Sequence, residues 1–299
     1  MHDLKRNFDT VLPIVQELLQ NHVNKSGNIP RPGPKPKFSD CEVITLSLVS
    51  DSLLIDSEHY LFKSLHSESV FPYLIERSVY NKRKRSLIPL INKVRKSLVE
   101  KLVLYEDTFV LDSMPIEICK FARAKRVKVC RERAETAPAL GYCAAQNQTY
   151  YGYKLHGVCT LGGVITDFDL SQANVADIHY LNDIRSHYHD CTLLGDKGYL
   201  SDELQTELFE GNGLLLNTPM RANQKQFKKQ PGVFRKVRKR IETIFSQLCD
   251  QFMIRRNYAK TFVGLATRIL SKITAFTLLQ YINKFITGRP LNHVKHALI

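Results

Sequence analysis

The sequence reads as an α/β domain, preceded by an all-helical N-terminal domain and followed by one long C-terminal helix. Three observations predict this. Apolar residues recur at helical spacing through roughly the first hundred positions. From about residue 105 the texture changes to short apolar runs bounded by turn residues. Those runs then follow the order strand, strand, strand, helix, strand, helix, strand, helix, with no internal repeat. The boundaries fall at 1–100, 101–260 and 261–299.

In order along the chain, Leu4, Phe8, Val11, Leu12, Val15 and Leu19 form the stripe of a first helix over 3–22. Residues 27–38, "GNIPRPGPKPKF", carry four prolines and read as an extended basic linker. Ser39 is placed to cap a helix beginning "DCEVITLSLV", and Ser57 to cap "EHYLFKSLH". Two short helices with a tight break fit a helix-turn-helix, and also an ordinary helical hairpin. A helix from Ser78 to Leu102 follows, with the run Lys82-Arg83-Lys84-Arg85 near its start. "DTFVLDS" is the first strand. "YYGYKLHGVCT" and "GGVITDFDLS" form a hairpin around Leu161-Gly162-Gly163. "VADIHYLNDIR" is a helix, "CTLLGD" a strand, "SDELQTELFE" a helix capped by Ser201, and "GLLLN" a strand. The loop "MRANQKQFKKQPG" leads to a helix over about 233–252. A final helix over about 261–287 stops at Gly288.

Charge sets this chain apart from an average globular protein. It has 43 Lys and Arg against 29 Asp and Glu, a net +14, which points to a polyanionic partner. The seven cysteines are odd in number and include no CxxC, so neither a zinc site nor a disulfide framework is expected, and a reducing cytoplasm is the simpler setting. The start "MHDLKRNFDTVLP" lacks the apolar core of a signal peptide. No apolar run approaches the ~20 residues that span a bilayer, and no membrane partner is expected.

Two strands end in an acidic residue, Asp112 in "FVLD" and Asp196 in "LLGD". Carboxylates at strand ends converge when the strands are neighbours. The third candidate is Glu242, at the margin of the stripe Val237, Ile241, Ile244, Phe245, Leu248, Phe252 and expected to be partly buried. Arg235, Lys236, Arg238, Lys239 and Arg240 crowd the start of that helix, where cations oppose the macrodipole. A phosphate ligand would compensate them. Three carboxylates without a Cys or His set suit a hard cation, Mg²⁺ or Mn²⁺. A pair of such ions about 3.5–4 Å apart serves phosphodiester chemistry. Lys197 and Arg238 are candidates to hold phosphates nearby. Lys154 and His156 share one face of their strand, where a structural His is the ordinary reading.

The pieces "FVLDSMPIEIC", "YYGYKLHGV", "LLGDKGYLS", "LLLNTPMRANQK" and "RKRIETIFSQL", with "SVYNKRKR" before them, resemble a bacterial insertion-sequence DDE transposase of the nine-eight-two family. The resemblance spans most of the chain. It implies an RNase H-like catalytic domain, a mixed sheet with flanking helices. It also implies that Asp112, Asp196 and Glu242 are the catalytic and metal-binding triad. A related pattern places a Tyr seven residues before the Glu, an Arg four before and a Lys seven after; here those positions hold Arg235, Arg238 and Cys249. The implied partner is double-stranded DNA, both the terminal inverted repeats and the target. The implied cofactor is Mg²⁺, with Mn²⁺ accepted, and a homodimer is compatible with the DNA complex. Lys82, Arg83, Lys84, Arg85, Lys154, Lys197, Arg238, Lys239 and Arg240 are the expected DNA contacts. A DNA-binding regulator with an inactive nuclease-like domain, and a metal nuclease without strand transfer, are the rival readings.

Overall fold

The computed structural model describes residues 3–67, 71–220, 227, 231–296 and 298. The expected loop 220–232 lies largely outside them. The chain divides into a helical unit and a sheet unit. The helical unit comprises Met1–Leu102, Leu248–Arg256 and Val263–Ile299; the sheet unit comprises Val103–Gln247 and Asn257–Phe262.

In the helical unit, α1 (Leu4–Leu19) is capped by Asp3, whose carboxylate accepts from Arg6 N at 2.9 Å. Its stripe Leu4, Phe8, Val11, Val15 and Leu19 is buried as its spacing predicts. The linker 27–38 contains no helix or strand. α2 (Asp40–Ser52) opens with a capping box: Ser39 Oγ accepts from Glu42 N, and the Glu42 carboxylate accepts from Ser39 N. Residues 40–50 of α2, except half-buried Glu42, are buried, as a centrally placed helix requires. α3 (Glu58–Ser67) follows, with Ser57 Oγ accepting from Tyr60 N.

The single helix expected from Ser78 is two, α4 (Arg77–Ser86) and α5 (Ile88–Leu102). Leu87 N reaches back to both Arg83 O and Lys84 O, which tightens the last turn and ends α4 there. Burial then divides the basic run. Lys84 is buried, and Arg83 is spent on Phe38 O and the Asp40 carboxylate, while Lys82 and Arg85 are exposed. In this structure Arg83 and Lys84, both expected as DNA contacts, are taken up by the fold, and Lys82 and Arg85 are the exposed members of the run.

α9 (Phe262–Ile282) continues through a π-helical turn to Thr287 and ends on Gly288 in the left-handed region (φ 64°). From the sequence, the C-terminal helix of 261–299 is expected to pack on the catalytic domain. Its partners place it in the helical unit: Ser271 Oγ lies 2.6 Å from Ser47 Oγ, and Lys272 Nζ donates to Asp56 at 2.8 Å. Contrary to the expectation from sequence, Phe262–Thr287 is long and apolar enough to cross a bilayer, but most of it is buried in the protein. It is a core helix, and the unpaired cost of burying Lys272 is removed by Asp56.

The sheet unit carries six strands: β1 (Thr108–Cys119), β2 (Ala139–Cys143), β3 (Gln148–Thr160), β4 (Ile165–Gln172), β5 (Thr192–Leu194) and β6 (Leu215–Asn217). The order is β2-β3-β1-β5-β6, with β4 also on β3. β3 gives residues 148–152 to β2 and 153–159 to β4, and pairs antiparallel with β1 over 151–160. β1, β5 and β6 are parallel. The expected helix at 175–185 is a 3₁₀ turn (Asp177–His179) leading into the short α6 (Tyr180–Ile184). α7 (Asp202–Asn212) is capped by Ser201 as expected. One core gathers Phe109, Leu111, Val158, Leu181, Leu193 and Leu208. Side chains alternate across a strand, so Val110 and Asp112 turn to the other face. That face receives α8 (Gly232–Phe252) through buried Ile241 and Phe245.

Candidate active site

Asp112 does not end its strand, as the sequence suggested. β1 runs seven residues further because antiparallel β3 continues to pair with it. What ends near Asp112 is the parallel pairing. Val110 is in register with Leu194, the last residue of β5, and each carboxylate comes two residues later. Asp196 remains in extended backbone (φ −87°, ψ −174°), and Gly195 N still bonds to Asn217 O. Register and period two therefore bring Asp112 and Asp196 to one level on one face of neighbouring chains, which lie about 4.8 Å apart.

The third carboxylate comes from across that face. Gly157 is the cross-strand partner of Asp112. A Cβ on Gly157 would stand 3.3 Å from the Phe245 ring, so the missing side chain is what lets α8 approach here. Glu242, beside Ile241, is exposed rather than partly buried. Ile241, Ile244 and Phe245 fill the interface and leave the stripe margin in solvent.

Asp112 is half-buried, and its Oδ1 accepts from Ser113 N at 2.8 Å. Burial is the main cause that pushes its carboxyl up to about 7; Asp196 and Glu242 push the same way, while the Ser113 N–H and the Arg238 guanidinium oppose it. Asp196 Oδ1 accepts from Gly198 N at 2.7 Å. No cation makes a salt bridge to Asp112, Asp196 or Glu242 among the described residues. A carboxylate group short of positive charge fits a hard divalent ion by donor chemistry and by electrostatics. Among the described residues no three His, Cys, Asp or Glu side chains stand at metal-ligand spacing.

The remaining expected contacts separate. Lys197 and Lys239 are exposed, and their ammonium groups make no ion pair among the described residues. Arg238 is half-buried beside Asp112, with a buried Nε that has no hydrogen-bond partner among the described residues. Arg240 Nε donates to Leu161 O at 3.1 Å. The Lys154 ammonium donates to Val175 O at 2.8 Å and Asp177 Oδ1 at 3.0 Å, and only 15% of its side chain is exposed. His156 is buried, stacked on Tyr180, with Nε2 2.7 Å from Ser171 Oγ. Asp177, which sequence reasoning misses, meets both the Asp112 strand and the Asp196 turn. Its only sequence signal is an acidic residue between a strand and a helical turn, a common cap position.

The mixed sheet thus carries Asp112 and Asp196 toward one face, and the helix packed on that face carries Glu242. The chain belongs to the transposase DDE domain family, whose match covers residues 106–278, more than half of the 299. No curated protein matches it. The solved Mos1 transposase paired-end complex with the left transposon end matches over 84% of this chain and 82% of its own. Its identity is 10% and its TM-score 0.22, too low to carry an argument.

Proposed function

We propose that this transposase-family chain binds the ends of a DNA element, cuts phosphodiesters there, and joins the freed 3′-OH to target DNA. The observation that carries this is the parallel register of β1 and β5, which leaves Asp112 and Asp196 each two residues past the last pair, Val110 and Leu194, with Glu242 in electrostatic reach and no salt bridge to any of them among the described residues. The fold is read as RNase H-like, and the quoted motifs favour the nine-eight-two insertion-sequence family. Mg²⁺ or Mn²⁺, when bound, would supply nucleophile activation and stabilisation of the leaving oxygen. Asp112 and Asp196 would share the ions, and Glu242 would turn in from solvent to complete the set. Arg238, whose buried Nε has no hydrogen-bond partner among the described residues, and Lys197 would orient the scissile phosphate. The helical unit, through exposed Lys82 and Arg85, would hold the element end. The net charge of +14 suits a DNA partner and a cytoplasmic, nucleoid-associated protein.

Labelled duplex carrying the flanking inverted repeat, incubated with protein and Mg²⁺, tests the reading. Asp112→Asn, Asp196→Asn and Glu242→Gln should each lower cleavage on the order of 10³-fold or more, with DNA affinity retained. Joined products separate a transposase from a plain nuclease. Full cleavage by any of the three variants removes that residue from the triad.

A further inference from the structure

Asp177 opens the 3₁₀ turn before α6 and is half-buried. Three elements meet its carboxylate. From β1, Ser113 Oγ donates to Oδ1 at 3.0 Å, while Ser113 N donates to Asp112 Oδ1. From β3, the Lys154 ammonium donates to the same Oδ1 at 3.0 Å. His156, also on β3, holds Nδ1 4.0 Å from that oxygen, buried and without a hydrogen-bond partner among the described residues. The turn after β5 meets the other oxygen. A Cβ built on Gly198 would lie 3.3 Å from Asp177 Oδ2 and 2.9 Å from Asp196 Oδ1. Only glycine lets both carboxylates close on that backbone.

This carboxylate therefore stands between the two segments whose spacing sets the site. Ser113, next to Asp112 in the chain, links Asp112 to this carboxylate through separate bonds: its hydroxyl donates to Asp177 and its backbone N–H to Asp112. Gly198 links Asp177 to Asp196 through the N–H that Asp196 accepts. Lys154 supplies the compensating charge, so Asp177 is held in place by an ion pair rather than left to seek a metal.

We propose that Asp177 is a positioning residue: it ties the β1 segment bearing Asp112 to the turn bearing Asp196 and so fixes the spacing of the two carboxylates for the divalent ion. The inference rests on the metal-dependent reading above. Partners that orient ligands typically change metal affinity about 10- to 100-fold when removed.

The test is Mn²⁺ titration of the DNA-free full-length protein by calorimetry, beside DNA affinity, melting temperature and cleavage against Mg²⁺. Asp177→Ala should weaken Mn²⁺ binding by about 10-fold or more, with DNA affinity unchanged. Asp177→Asn keeps an acceptor for Ser113 and Lys154 and should restore most of the loss. Ser113→Ala should weaken Mn²⁺ binding in the same direction, and adding it to Asp177→Ala should change nothing further. Ser113→Ala alone decides the case if Asp177→Ala fails to fold. Unchanged Mn²⁺ affinity in Asp177→Ala or, where that fails to fold, in Ser113→Ala overturns the proposal. So does an Asp177→Asn as severe as the alanine variant, because Asp177 would then act by its charge. A wild-type protein that binds no Mn²⁺ sinks the metal reading itself, before any variant is compared.

Discussion

In the helical unit the side chains of Asp40 and Asp56 are buried, and each is met by two cations: Arg31 and Arg83 for the first, Arg268 and Lys272 for the second. In the sheet unit Asp112 is half-buried beside two further acids, and no cation among the described residues reaches it at ion-pair distance. The sequence supplies cations in abundance, so scarcity does not explain the difference. Where a buried carboxylate serves only the fold, this chain pairs it. Where it is left crowded and unpaired, it is the position the proposed function assigns to a cation from outside the chain. Asp177 is the intermediate case, inside the sheet unit yet paired with Lys154, as a support for the site and not a ligand should be.

The comparison breaks most visibly if the paired acids prove dispensable. Asp56→Ala strands Lys272, whose ammonium is already made harder to charge by burial. It should cost about 3–5 kcal/mol in urea unfolding. Asp112→Asn should do the opposite in metal-free protein: cleavage is lost, while the melting temperature holds or rises, since one of three mutually repelling charges is gone. A large loss of stability in Asp112→Asn would make it a fold residue like Asp56.

A smaller effect concerns His156. Burial lowers its pKa from the ordinary 6.5 to about 4, against the pull of Asp177, with Lys154 adding to the lowering. The folded state then binds fewer protons than the unfolded between those values, so stability is present above 6.5 and declines as pH falls toward 4. Titrating unfolding across that window should show a slope worth roughly 2 kcal/mol that His156→Gln flattens. An unchanged slope in the variant would assign the acid sensitivity elsewhere. Smaller again is Gly157→Ala. Its Cβ meets the Phe245 ring at 3.3 Å, and overpacking should cost about 1 kcal/mol. Cleavage should fall further than stability, because the helix displaced is the one carrying Glu242.

The parts of this fold that were legible in the sequence are those fixed locally. Ser39 with Glu42, Ser201, the Gly162-Gly163 turn and Gly288 each satisfy or turn their own backbone, and all fall where spacing placed them. The parts that were not legible depend on distant partners. β1 passes Asp112 because β3, forty residues on, keeps pairing with it. α9 joins the helical unit through Ser47 and Asp56, over two hundred residues away. Arg83 and Lys84 look like solvated cations until Asp40 and the core claim that face of α4. Asp196 follows a strand end that is locally encoded; that β1 runs on past Asp112, that Glu242 is exposed and that Asp177 meets Ser113 and Lys154 are not local properties.

The smallest effect on stability should come from the basic start of α8. Its first turn contains no acid, and Arg235, Lys236 and Lys239 are exposed. Arg235 closes the first turn, where a cation opposes the helix dipole by about 0.3–1 kcal/mol at low salt; Lys236 and Lys239 follow it, where that opposition fades, so the dipole gives the fold no gain from any of the three. The Asp56 cluster is the opposite arrangement, where each cation answers a buried acid. If the α8 cations serve DNA, changing Arg235, Lys236 and Lys239 together to Gln should weaken duplex binding. It should also flatten the plot of log affinity against log salt by about 0.9 for each phosphate no longer neutralised. The melting temperature should hold or rise slightly as the dipole is relieved. Arg240 stays out of the set because it is bonded to Leu161 O, and Arg238 because it stands beside Asp112. An unchanged salt slope together with a lower melting temperature would place these cations with Arg268 and Lys272, as residues that hold the fold, and the division between paired and unpaired charge would no longer separate structure from function.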